Sequence, residues 1–243
     1  MLEVEIVKAR RDFVVEVALR LAPGQRCAIF GASGAGKSTV LSCIAGFEVP
    51  DRGRIGFAGR CLFPPPMPLY ERRLGYLAQR DLLFPHLSVA QNVCFGLRAP
   101  DEAARKWLGE LKERLELAPI WEARAHHISG GQARRVAMAR MLAPRPELVL
   151  LDEPFAGMDW ATVSDLLTAL MQWHRQLNFS LLAVDHRSAI LRRLCPQALV
   201  MEQGRIVQRG AWEELAAAPA TPLLARLLAS ADLSSAPESA PAR

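Results

Sequence analysis

The sequence predicts an α/β fold: a mainly parallel sheet covered by helices on both faces, with an N-terminal antiparallel β subdomain and an inserted helical lobe. Three observations carry this. From Leu148 onward, short apolar runs alternate with helical patterns, which implies parallel strands joined by crossover helices. Leu2, Val4 and Ile6 alternate with polar residues, and a second strand pattern follows at Phe13 to Leu21. Between about 81 and 143 the strand pattern gives way to two helical ones.

In chain order, Pro23-Gly24 marks a turn, and Cys27 to Phe30 is a short apolar run suited to a buried strand. A glycine-rich loop opens at Gly31. The helix after it carries Val40, Leu41, Ile44 and Ala45 on one face. Arg54 to Phe57 and Leu74 to Leu77 are expected strands. The prolines from Pro64 to Pro68 cannot join a sheet interior and form a loop. The lobe holds helices over Asp101 to Leu115 and Gly130 to Leu142. Then follow strand Leu148 to Leu151, helix Ala161 to Gln176, strand Leu181 to Val184, helix Ser188 to Leu194 and strand Ala198 to Met201. Gly204 turns the chain into a short strand, Arg205 to Val207, and a helical stretch runs from Trp212 to about Leu228. One domain over 1–229 and an Ala/Ser/Pro-rich, disordered tail over 230–243 are expected.

The bulk numbers narrow the function classes. The 243 residues include 51% apolar and 23% charged side chains, an ordinary globular balance. The net charge of +5 suits a nucleotide, an anionic membrane surface or a solvated face rich in Arg, and no basic block stands out. Five scattered cysteines without a CxxC pair argue against a zinc site, a redox dithiol or a disulfide framework. The N-terminus lacks a signal-peptide pattern, and no run approaches the ~18 apolar residues of a membrane span. Any transport role therefore needs a separate permease.

Gly31-Ala32-Ser33-Gly34-Ala35-Gly36-Lys37-Ser38, followed by Thr39, fits GxxxxGK[ST] between a strand and a helix. Glycines let the backbone fold around a polyphosphate with N–H groups pointing inward. Lys37 can neutralise the β- and γ-phosphates, and the Ser38 hydroxyl can ligate Mg²⁺. A chance match arises in roughly one chain of this length in a hundred. The α/β core is thus expected to be of the P-loop NTPase type. Leu148 to Leu151 then end in Asp152 and Glu153, acids at the carboxyl end of a parallel strand, where open sheets bind ligands. Asp152 can hold the Mg²⁺ shell, and Glu153 can orient or deprotonate the attacking water. Ile128-Ser129-Gly130-Gly131-Gln132 opens a helix, with Ser129 as N-cap and glycines permitting close backbone approach.

With these elements the sequence resembles the ABC ATPase family from Leu2 to about Leu228. The resemblance implies ATP and Mg²⁺ as ligands and a head-to-tail homodimer. Ser129, Gly130, Gly131 and Gln132 of one subunit would complete the nucleotide site of the other. It implies that Gln79 reaches Mg²⁺ and the attacking water, that His186 contacts the γ-phosphate, and that Asp159 crosses the dimer interface. The stretch from Leu83 to Val93 resembles the importer branch, in which this surface (80–93 here) docks a permease coupling helix. A peripheral location on the cytoplasmic face of the inner membrane follows, with a solute-binding protein as an indirect partner and no role for nucleic acid. Molybdate or a similar oxyanion is the expected solute, with thiamine second, because the chain stops short of the C-terminal β-domain of many sugar and oxyanion relatives. A soluble ABC ATPase acting on nucleic acid or the ribosome is the competing class. It is disfavoured because neither heptads nor a second cassette is present.

Three departures stand out. The aromatic expected to stack on adenine falls in Lys8-Ala9-Arg10-Arg11-Asp12, so either Phe13, placed in the strand, or an arginine takes that role. Asp185 precedes His186 where Thr or Ser is usual, and Phe155 to Asp159 is a looser match.

Overall fold

The computed structural model describes residues 1–97 and 101–233. Its strands are β1 (Leu2–Ala9), β2 (Val14–Leu21), β3 (Arg26–Phe30), β4 (Arg52–Phe57), β5 (Arg60–Phe63), β6 (Leu74–Leu77), β7 (Leu148–Asp152), β8 (Ser180–Val184), β9 (Gln197–Glu202) and β10 (Arg205–Ala211). Its helices are α1 (Lys37–Ala45), α2 (Val89–Cys94), α3 (Glu102–Arg114), α4 (Gly130–Leu142), α5 (Trp160–Leu177), α6 (Ser188–Leu194), α7 (Trp212–Ala217) and α8 (Pro222–Leu233).

Among the described residues all strands join one sheet in the order β5-β4-β1-β2-β10-β9-β3-β8-β7-β6. Strands β9, β3, β8, β7 and β6 are mutually parallel. Strands β2, β1, β4 and β5 pair antiparallel. The expected parallel core and antiparallel N-terminal part are both present, and β10 joins them. It pairs antiparallel with β9 along its length and parallel with β2 through Arg205 and Glu16.

The two faces of the core follow from strand pleating. In β7, Leu148 and Leu150 point into the cluster formed with α1, while Val149 and Leu151 point into the cluster formed with α4, α5 and α6. In β3, Cys27 and Ile29 face α1, and Ala28 and Phe30 face the other side. Burial on both faces explains why these strands read as unbroken apolar runs. The lobe between β6 and β7 holds α2, α3 and α4. It is pinned to the core by Trp107, whose ring meets Trp173 of α5 edge-on at 6.1 Å and whose Nε1–H donates to the Leu142 carbonyl at 3.0 Å.

The structure differs from expectation where patterns are short. β5 and α2 were not foreseen: four and six residues are too few to establish a period. β10 is longer than expected because Gln208, Arg209 and Gly210, past Val207, carry no apolar run to mark a strand. The C-terminal helical stretch is two helices, broken around Pro219 and Pro222, since proline cannot continue a helix interior. α8 extends to Leu233, past the expected end near Leu228, and 234–243 of the expected tail lie outside the described residues.

A buried arginine locks the end of α1. Gly46, at φ 94°, ends the helix, and the Arg72 guanidinium fills the space beside it. Arg72 donates to the carbonyls of Ile44 at 2.8 Å, Met67 at 3.0 Å, Cys43 at 3.3 Å and Leu62 at 3.4 Å. A positive charge here also complements the negative end of the helix dipole. Arg72→Ala leaves several buried carbonyls without donors and is expected to cost about 3 kcal/mol of unfolding free energy, read as a shift in the urea midpoint.

Candidate functional site

The site gathers at the carboxyl ends of β3, β7 and β8. The loop after β3 leads into α1, whose N-cap is Gly36 at φ 98° with no side-chain cap. A Cβ at Gly36 would sit 2.8 Å from Val15 Cγ2, so both the backbone angle and the packing require glycine. The helix N-terminus therefore offers free N–H groups and a positive dipole end to an anion. Lys37 bends back over the loop and donates from Nζ to the carbonyls of Ala32 at 2.8 Å and Gly31 at 2.9 Å. Burial pulls its ammonium below the usual lysine range, with Glu153 and Asp152 pulling the other way.

Ser38, one residue on, donates from Oγ to Asp152 Oδ1 at 3.0 Å. The Tyr76 hydroxyl lies 3.4 Å from Asp152 Oδ2. Burial pushes the Asp152 carboxyl up, against the hydrogen bond from Ser38, and pushes the Tyr76 phenol up to about 12. Glu153 follows in a tight turn at φ 46°, a left-handed conformation costly for a residue with a Cβ. Gln79 donates from Nε2 to Glu153 Oε2 at 3.3 Å. His186 Nδ1 lies 3.9 Å from the same oxygen and 3.5 Å from Asp185 Oδ1. Asp185 is fully buried, and its Oδ1 accepts the Arg187 N–H at 2.9 Å.

Lys37, Ser38, Gln79 and Glu153 border a cleft of about 400 Å³, lined also by Arg10, Phe13, Ser33, Gly34, Gly36, Thr39 and Val184; Asp152 and His186 lie outside that lining. Phe13 lies one residue ahead of β2 rather than within it, and it reaches the cleft rim beside Gly36. Arg10 lines the same rim. Larger grooves lie over the open face of β1 and β2, lined by charges of both signs such as Glu3, Glu5, Arg20 and Arg209, without a phosphate-binding loop.

Not every expected residue converges. Ser129 and Gln132 form a reciprocal capping box at the start of α4, with Ser129 N donating to Gln132 Oε1 at 2.9 Å. Neither lines the cleft of its own chain. Gly130 and Gly131 face open space among the described residues. Asp159 caps α5, accepting from the Thr162 backbone at 3.0 Å and the Thr162 hydroxyl at 2.7 Å. Those bonds hold its carboxyl below the usual carboxylate range. In the stretch from 80 to 93, buried Asn92 bonds both backbone groups of Phe84 and the Ser88 carbonyl. This fixes the loop, and Leu82 and Phe95 stand exposed beside it.

The family model described as ABC transporter matches residues 14–156. The chain belongs to the ABC transporter family. It is 42% identical over 205 residues to an Fe(3+) ions import ATP-binding protein, FbpC, of Pseudomonas fluorescens, covering 83% of this chain and 58% of that protein. The chain thus spans less than two thirds of that relative's length. It is 35% identical to a probable sulfate/thiosulfate import ATP-binding protein, CysA, of Chlorella vulgaris, covering 87% of this chain and 90% of that one. Among solved structures, an ATP binding subunit of an ABC transporter shares the fold with a TM-score of 0.80 at 22% identity, covering 95% of this chain and 99% of that one. A dimeric bacterial ABC transporter cassette does so with a TM-score of 0.77 at 24% identity, covering 87% and 98%.

Sequence reasoning missed Tyr76 and Arg134 in this ABC-family site. Tyr76 sits in the run that ends at Gln79, so its place on β6 was a usable signal. Arg134 gave none, because its neighbour Arg135 looks the same in the sequence and yet pairs with Glu116 at the surface.

Proposed function

We propose that this chain binds ATP with Mg²⁺ and hydrolyses it as the motor subunit of an importer. The observation that carries the proposal is the convergence of Ser38, Asp152, Glu153, Gln79 and His186 in front of the uncapped start of α1. The triphosphate would lie along residues 31–39, with Lys37 turning from its loop carbonyls onto the β- and γ-oxygens. Ser38 and Asp152 fit Mg²⁺: both offer hard oxygen donors, 3.0 Å apart, and burial pushes the Asp152 carboxyl up, a cost that a bound cation would offset. Gln79 is placed to join them. Bound there, the ion would neutralise charge on the phosphates. Glu153 would accept the proton of the attacking water, and Gln79 would help orient that water. His186 would contact the γ-phosphate. Phe13 at the cleft rim would stack on adenine, with Arg10 beside it.

The homodimer remains part of the proposal. The open space before Gly130 and Gly131 suits a second copy's triphosphate, met by the positive start of α4. Asp159 would lie near the same interface. The exposed Leu82 and Phe95, on the rigid frame set by Asn92, would dock a separate membrane permease. No helix among the described residues is long and apolar enough to cross a membrane. We place the chain on the cytoplasmic face of the membrane, fed indirectly by a solute-binding protein. The relatives' names point to inorganic ions, iron(III) first and sulfate or thiosulfate second, in place of molybdate or thiamine.

The test is steady-state phosphate release by the purified chain with ATP and Mg²⁺, repeated with the permease that co-purifies from membranes. Mg²⁺-dependent turnover, raised by iron(III) or sulfate when the whole transporter is assembled, is the expected result. Intact ATP in both preparations would overturn the proposal.

A further inference from the structure

Arg134 lies one turn into α4, and its side chain is only 4% exposed. The guanidinium spends all five N–H groups. Nε donates to the Pro154 carbonyl at 2.7 Å, and Nη2 donates to the carbonyls of Glu153 at 2.7 Å and Asp152 at 3.3 Å. Nη1 donates to the Ala78 carbonyl at 2.5 Å and to Asp81 Oδ1 at 3.0 Å. Three consecutive carbonyls thus converge on one cation because the chain turns sharply at Glu153, the residue held at φ 46°. The backbone adds two bonds to this turn, from Ala156 N–H to the Glu153 carbonyl at 3.3 Å and from Glu153 N–H to the Val184 carbonyl at 2.8 Å. Without the guanidinium the converging carbonyl dipoles would repel and the left-handed turn would lose much of its support. The same fork holds the segment on either side of Gln79. Arg140 adds to that grip through the carbonyls of Asp81 and Leu82, each at 2.8 Å.

We propose that Arg134 is a positioning residue that holds the Glu153 carboxylate and the Gln79 amide in register. Both side chains depend on backbone fixed by one planar fork, and they meet at 3.3 Å. A lysine cannot replace it: one ammonium has three donors on a flexible stem and cannot span carbonyls from two segments. Because Arg134 sits on the helix that opens with Ser129, movement of the lobe is felt at the catalytic turn through this side chain. The inference rests on the ATPase assignment above.

The test uses R134Q and R134K in the full chain, with kcat and KM for ATP measured separately. Both variants are expected to lose more than about tenfold in kcat while KM stays within about threefold, the pattern of a lost transition-state interaction. The E153Q/R134Q double variant is expected to associate in ATP as E153Q does, because the start of α4 keeps its own Ser129–Gln132 capping box. A kcat loss smaller than about tenfold in either variant would overturn the proposal. So would loss of ATP binding or of ATP-driven association, which would make Arg134 a support of the fold alone. An inactive parent chain overturns the ATPase assignment and this inference with it; an active parent with an active R134Q overturns the inference alone.

Discussion

Glu153→Gln is expected to lower kcat by about 10³, or about 4 kcal/mol of activation free energy, the range of a lost general base. The amide keeps the volume and the reach of the carboxylate, so the turn at φ 46° and the donor set of Arg134 are left in place. What would be lost is the proposed acceptor for the water proton. In the proposed site nucleotide binding does not run through this oxygen, since the phosphates would meet residues 31–39, Lys37 among them. ATP should then hold two copies together without being consumed, and size-exclusion chromatography in ATP should show a dimer that the parent chain populates only transiently. Turnover at the parent rate would remove Glu153 from the chemistry.

Lys37→Ala is expected to weaken ATP binding by about 100-fold, the loss of about 3 kcal/mol of charge-assisted bonding to the β- and γ-phosphates. The ammonium is half-buried, and burial has already removed part of its hydration, so the anion recovers what the site has cost it. In the variant, the Gly31 and Ala32 carbonyls exchange the Lys37 donor for water, and the fold should melt near the parent temperature. Titration with a fluorescent ATP analogue checks the affinity. An unchanged Kd would show that the loop backbone alone holds the triphosphate.

Most of the site was legible because its chemistry is local in sequence. The phosphate loop needs glycines, a lysine and a hydroxyl within eight consecutive residues, and Asp152-Glu153 need only the end of an apolar strand. Phe13 was misplaced into the strand because its neighbours Val14 and Val15 continue the apolar pattern; only the turn in which Arg10 N donates to the Phe13 carbonyl sets it outside. Ser129 and Gln132 were read correctly as a helix start, and the structure adds that they cap each other. Asp159 was assigned to an interface by resemblance, and within one chain it is occupied as the N-cap of α5. Its role across a dimer therefore stays part of the proposal.

The sequence by itself determined the α/β class, the order of the core elements, the phosphate loop and the acids at the end of β7. Those follow from periodicity and from short motifs whose parts are covalent neighbours. Only the tertiary structure decided how distant segments answer each other: Ser38 with Asp152, Gln79 with Glu153, and Arg134 across two segments at once. The physical reason is that a buried polar group must find partners wherever the packed chain brings them. Nothing in the residues 134 and 135, both arginine, says which will turn inward. The packing of α4 against β6 and β7 settles it, by giving one guanidinium the carbonyls of two separate segments and the other Glu116 at the surface.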